Sequence, residues 1–200
     1  GRKAPAMTVL RCTAKLLKAM KARAVVEPAP AKNRLGEWTA NLIRVSRIQL
    51  VLAVSEPTRM GVVIDAAPYA LIPERFGQAL FKALLYLDIP ADMAAEEAES
   101  MRDMELAASS SRSVLGTLNQ FAYQIESDLW HGKACSARDL TCRLAEMVVI
   151  KPKDVGFPSD RVREAFGLAP LDLKHRLKLG HLRPCIDPPT GLVILSKDKN

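Results

Sequence analysis

Aromatic residues are scarce, at 5 % of 200 residues, so a core must be built from Leu, Val, Ile, Ala and Met. No apolar run approaches the roughly 20 residues needed to span a bilayer. The N-terminus carries Arg2 and Lys3 without a continuous apolar segment or a clear cleavage site behind them, which argues against a secretory signal. The four cysteines, Cys12, Cys135, Cys142 and Cys185, are few and widely spaced. Reduced thiols in a cytoplasmic setting are therefore the expectation. Neither phosphate-cradling loop pattern, G-x-x-x-x-G-K-[ST] or G-x-G-x-x-G, occurs. The strained G-x-S-x-G turn of serine hydrolases is missing too. Only His131, His175 and His181 are present as histidine bases.

What is present is ordinary for a globular chain: 48 % apolar and 26 % charged residues. The length fits one domain plus extensions. The formal net charge of +7 is uneven. Residues 1–50 hold 11 Lys/Arg against 2 Asp/Glu, residues 51–100 hold 3 against 8, and residues 151–200 hold 10 against 6. A positive end of this kind is read either as a polyanion-binding surface or as an ordinary solvated one.

With residues 1–6 left out of the fold reading, Thr8–Cys12 reads as a strand. Thr13 caps a basic amphipathic helix running to Arg23, with Leu16, Leu17 and Met20 inward and Lys15, Lys18 and Lys21 outward. After the Pro-rich loop 27–33 come three strands: EWTANLIRV, RIQLVLAVS and GVVIDAA. The second is apolar in nearly every position, as in a central strand covered on both faces. The link Val45-Ser46 implies a tight hairpin, so the three form an antiparallel meander. Pro73 and Glu74 open a helix that ends near Ile89-Pro90. ADMAAEEAESMRDMELA reads as one acidic helix. A serine of ASSSRS caps the helix that follows, residues 136–148 form another, and Ser159 caps a last one stopped by Gly167.

The helix RSVLGTLNQFAY has two organised faces. Val114, Leu118, Phe121, Ile125 and Leu129 form an apolar stripe. Arg112, Gly116, Asn119 and Tyr123 share another face at the same spacing. A helical Gly costs about 1 kcal/mol against Ala, so it usually serves close packing or close approach. This face is the candidate binding face, with Arg and Asn as hydrogen-bond donors and Tyr as a rigid amphipathic contact. The alternative is that it packs on the sheet, with Gly116 admitting Trp38 and Asn119 bonding an edge strand.

Lys15, Lys18, Lys21 and Arg23 are the candidate polyanion contacts. Lys174, Arg176 and Lys178 follow a segment loosely like a helix-turn-helix. His131, Cys135 and Cys142 are the only grouping with metal-ligand chemistry, but Cys-x6-Cys is not a usual structural-zinc spacing. Cys12 lies either in the core or beside a helix N-terminus, where a thiolate would be reactive. Glu96, Glu97 and Glu99, with Asp92, Asp103 and Glu105, read as a solvated helix face rather than as acids for catalysis.

The order of these pieces resembles a bacterial domain-of-unknown-function family, family 6933. Arg11-Cys12-Thr13 with Lys15-Leu16-Leu17, Trp38 with Ala40-Asn41-Leu42, and Arg112-Ser113-Val114-Leu115-Gly116 carry the resemblance. It implies a bacterial cytosolic setting and brings no catalytic residue, cofactor or mechanism with it.

The expected fold is α+β: a small, mainly antiparallel sheet (strand, helix, three-stranded meander) packed against several C-terminal helices. One domain is expected over 7–168 and a C-terminal extension over 169–200. The leading expectation for function is a non-catalytic binding or regulatory module that engages a partner protein or nucleic acid, with no cofactor and no membrane. The alternative is an enzyme with an unrecognised site acting on a phosphate-containing substrate. A subunit that buries an apolar face in an oligomer is a third possibility.

Overall fold

The structure, a computed structural model, describes residues 8–172, 174 and 176. Five strands form one sheet: β1 (Thr8–Cys12), β2 (Trp38–Val45), β3 (Ile48–Ser55), β4 (Gly61–Asp65) and β5 (Met104–Ala108). Their order is β4-β3-β2-β1-β5. The meander β2-β3-β4 is antiparallel as the sequence pattern requires. Its first turn is Ser46-Arg47, one residue later than expected, with Val45 opposite Ile48.

Two expectations about the sheet need correction. It is mixed rather than mainly antiparallel, because β1 runs parallel to both its neighbours: Leu10 stands opposite Trp38 on β2 and opposite Leu106 on β5. Parallel neighbours need a crossover. Helix α1 (Ala14–Met20) with the loop after it provides one between β1 and β2. The acidic segment is also not one helix. Helix α3 (Ala91–Ser100) stops early, and Met104–Ala108 becomes strand β5 at the sheet edge. Met104 and Leu106 pack on the core while Glu105 lies between them, which is strand alternation that an Ala-rich, acidic run concealed.

The helices cover both faces of the sheet, not one. On one face Leu10, Trp38, Leu42, Val51 and Val62 join Leu16 of α1, Phe76 and Leu80 of α2 (Ile72–Tyr86), Ala94 of α3 and Val162 of α6 (Pro158–Ala165). Trp38 meets Phe76 edge-on, ring centroids 5.0 Å apart at 83°. On the other face Leu50, Leu52, Val54 and Val63 join Val114, Leu118 and Phe121 of α4 (Arg112–Trp130) and Leu140 of α5 (Ala137–Ala145). The nearly all-apolar β3 is thus a strand covered on both faces, as its composition demands.

Capping fixes where the helices start. Thr13, Ser111 and Ser136 accept from the amides of Leu16, Val114 and Asp139 at 3.4, 3.3 and 3.1 Å. Helix α1 is shorter than expected: Lys21 takes a left-handed conformation at φ 51°, which ends the helix and leaves Arg23 outside it. Ser159 is not the cap of α6; that position is Phe157, and Ser159 is buried in the first turn. Gly167, at φ 71°, ends α6 as expected.

Two buried carboxylates tie elements together. Glu97 is not on a solvated face: its oxygens accept from Asn33 Nδ2 and from the amides of Arg34 and Leu35 at 2.9, 3.1 and 3.0 Å, which fixes the loop ahead of β2. Asp128 of α4 accepts from Arg143 of α5 at 2.7 and 3.2 Å and from Gln124 at 2.8 Å. The two partners differ in burial, since the Asp128 side chain is 1 % exposed and that of Arg143 29 %. Removing the arginine leaves a charge stranded in the interior, whereas removing the aspartate leaves a cation that water still reaches. Arg143→Ala is therefore expected to cost about 3–5 kcal/mol and Asp128→Ala less. Urea unfolding of the two variants side by side checks the order.

Candidate functional site

Helix α4 places Arg112, Gly116, Asn119 and Tyr123 on its solvent side. Its buried stripe is Val114, Thr117, Leu118, Phe121, Ile125, Asp128 and Leu129, so the opposite face can only point outward. The packing alternative for this face is overturned. A Cβ on Gly116 would meet nothing within 4 Å, and Trp38 lies on the far side of the sheet. Tyr123 and Trp130, separated by two helical turns, are exposed by 77 % and 47 %. Beside them the segment after α5 is strapped to Gln120, which donates to the Val148 carbonyl at 2.9 Å and accepts from the Ile150 amide at 3.2 Å. That strap holds two further exposed apolar side chains, Val148 and Ile150, next to the helix. Sequence reading missed them because an apolar pair in a loop has no period to betray which way it faces.

Lys15, Lys18, Lys21 and Arg23 are all exposed. They belong to the opposite side of the sheet, where α1 packs through Leu16. The two candidate groups therefore do not form one site. Arg176, from the expected basic tail, is engaged internally: it bonds Glu146 at 2.7 Å and Asp160, and its guanidinium stacks 4.6 Å from the Phe157 ring centroid. Leu173, His175, Leu177 and Lys178 of the helix-turn-helix segment lie outside the described residues.

The serine cluster ahead of α4 works structurally. Ser111 caps the helix, and Ser113 accepts at 2.7 Å from Nη2 of Arg59. Arg59, in the β3–β4 turn at φ 60°, is only 6 % exposed. Burial pushes the pKa of its guanidinium down, an effect partly offset by Glu56 and Asp154.

Cys12 and Cys142 are free and buried, whereas Cys135 is not a free thiol. Burial raises the Cys12 thiol to about 12 and that of Cys142 to about 11, so the reactive reading of Cys12 is withdrawn. His131 sits at the end of α4, its Nδ1 2.7 Å from the Ser127 carbonyl. Among the described residues no group of three or more His, Cys, Asp or Glu is placed to hold a metal ion. No described helix is long and apolar enough to cross a membrane.

A groove of about 900 Å³ runs along the outer edge of β4 between α2 and α5. Leu71 and Ala79 offer it apolar surface over the buried Val63, Ile64 and Ala83, and Arg47, Lys82 and Arg138 bring positive charge to its rim. Nothing in the sequence pattern marks it, because its lining comes from segments far apart in the chain.

Two outcomes follow from these placements. Arg112→Ala and Asn119→Ala are expected to shift stability by no more than about 0.5 kcal/mol, whereas Phe121→Ala on the same helix should cost about 3–5 kcal/mol; thermal melts distinguish them. Both free thiols titrate above their ordinary value of 9.0 when folded. As pH rises past that value the unfolded chain releases protons that the folded chain retains, so stability declines. The urea midpoint should fall between about pH 8 and about pH 10.5, and the fall should shrink in a Cys12→Ala/Cys142→Ala variant.

Neither a curated protein nor a solved structure matches the chain. Residues 9–161 match the family model described as a domain of unknown function (DUF6933). That match covers most of the chain and includes the sheet, α4 and the groove, and the protein belongs to this family.

Proposed function

We propose that this protein is a binding module without chemistry of its own, and that it engages a partner protein through the outward face of α4. One observation carries the reading: Tyr123, Trp130, Val148 and Ile150 stand exposed around a single helix surface, with Arg112 and Asn119 on the same side. Tyr, Trp and Arg are the residues that most often dominate protein interfaces, because each offers a large contact area or a directed fork of donors. Gly116 leaves a shallow notch in the helix surface between Arg112 and Asn119, where a partner side chain can approach the backbone.

The chemistry of the face also selects the kind of partner. Arg112 is its cation and Glu126 lies on the same exposed side, so it lacks the cluster of positive charge that phosphate backbones require. A protein surface that offers a carboxylate to Arg112 and an apolar recess to Tyr123 fits better. The lysines of α1 are on the other side of the sheet and do not add to this surface.

A photo-crosslinking amino acid at position 123, with a control at exposed Glu96 on α3, tests the reading in cells. The expected result is a discrete protein adduct at 123, lost when Trp130→Asp is added and untouched by nuclease. An adduct of twice the chain mass would mean that a second copy covers the face. Equal labelling from both positions, or adducts that vanish with nuclease, would overturn the proposal.

A further inference from the structure

The groove beside β4 has features that the α4 face does not share, and none of its lining residues belongs to α4. Its volume of about 900 Å³ lies in the range of small-molecule sites, roughly 300–1,000 Å³. β4 is an edge strand, and an open edge would invite pairing with another strand. Here the edge is closed from within. Thr141 of α5 accepts from the Val63 amide at 2.9 Å. From α2, Arg75 donates to the carbonyls of Asp65 and Ala67. An extended peptide therefore finds no free ladder, and the occupant must use the side-chain walls instead.

Those walls are apolar below and positive above. Arg47, Arg75, Lys82 and Arg138 line the groove against Asp65 and Glu74, four positive groups against two negative. Arg75 is committed to the backbone. Lys82 on α2 and Arg138 on α5 line it from different helices, both exposed, and Arg47 lines it from the β2–β3 turn. Leu71 is exposed by 42 % beside an interior lined by Val63, Ile64, Ala79 and Ala83. A bare phosphate would use only the rim and a neutral apolar compound only the floor.

We infer that this groove is a binding site for a small organic anion with an apolar body, whose charged head pairs with Lys82 and Arg138 while its body lies on the α2–β4–α5 floor. No bond is made or broken: Cys142, at the groove wall, is buried, and Thr141 already serves the strand edge.

Dodecanoate titrated into the 15N-labelled full chain, followed by amide shifts, tests this. The expected result is saturable shifts at Val63, Ala66, Thr141 and Cys142, with the amides of 112–130 unmoved. Lys82→Gln/Arg138→Gln alters only exposed side chains and should weaken dodecanoate at least about tenfold. Ala79→Trp, which fills the groove from α2, should abolish the shifts; the spectrum of each variant without ligand reports whether it is folded. Dodecyltrimethylammonium, with the same body and opposite charge, should bind far more weakly. Shifts that centre on another surface, equal binding of the cationic amphiphile, or no saturable shift at all would each overturn the inference. None of these outcomes bears on the α4 proposal, because the two surfaces share no residue.

Discussion

The rest of the structure depends on β3 being apolar on both faces. Leu50, Leu52 and Val54 point one way and Val51 and Ala53 the other, and all are buried. Each large aliphatic side chain kept from water contributes about 1.5–3 kcal/mol, which neither face can forgo. A sheet built around such a strand must be covered twice. The helices before β5 together with α6 serve one side, and α4 with α5 serves the other. The amphipathic α4 is the direct consequence. Its inner stripe is spent on β3 and β4, so whatever is placed on its outer face is free of the core.

The second constraint is at the edges. On one side β4 is closed by Thr141 and Arg75. On the other side β5 is extended by a single bridge from Val25 to Ala107, with the Val25 amide 2.7 Å from the Leu106 carbonyl. Both are short closures by one or two residues rather than further strands, and edges blunted in this way resist adding strands from other chains. At β4, Thr141 of α5 and Arg75 of α2 meet the strand edge with a hydroxyl and a guanidinium, and the groove lies along that edge between the two helices.

What the sequence makes legible here is periodic. The meander, α2 and the two faces of α4 follow directly from spacing and from the turn residues between them. What it hides are features whose signal is not periodic. Met104–Ala108 carries strand alternation for only five residues, and the Ala-rich acidic run before it has the composition of a helix. The parallel pairing of β1 cannot be read from β1 itself, because alternation is the same for either direction. Glu97 looks like its neighbours Glu96 and Glu99, yet it is buried against a loop some sixty residues away in sequence. The outward direction of Arg112, Gly116, Asn119 and Tyr123 was open from spacing alone. It is decided by which stripe the sheet takes.

Net charge was the least informative of the sequence signals, and the reason is the use made of the arginines. Arg11 pairs with Glu37 at 2.6 Å, Arg143 with Asp128 at 2.7 Å and Arg176 with Glu146 at 2.7 Å. Arg163 instead donates to the backbone carbonyls of Leu87 and Asp88, and Arg59 is buried against Ser113. A guanidinium holds several acceptors in one plane, so it is suited to joining elements that a small sheet leaves loosely connected. Lysines do this less well, and Lys15, Lys18, Lys21 and Lys82 remain exposed. A count of positive residues thus mixes two populations, one that builds the interior seams and one that faces water. Only the second can shape binding, and among the described residues it is spread over α1, the groove rim, Arg112 of α4 and loop positions such as Lys133, Lys151 and Lys153. Among the described residues the exposed aromatic side chains Tyr123 and Trp130 both lie on the outer side of α4, and there contact area rather than electrostatic attraction would supply the affinity.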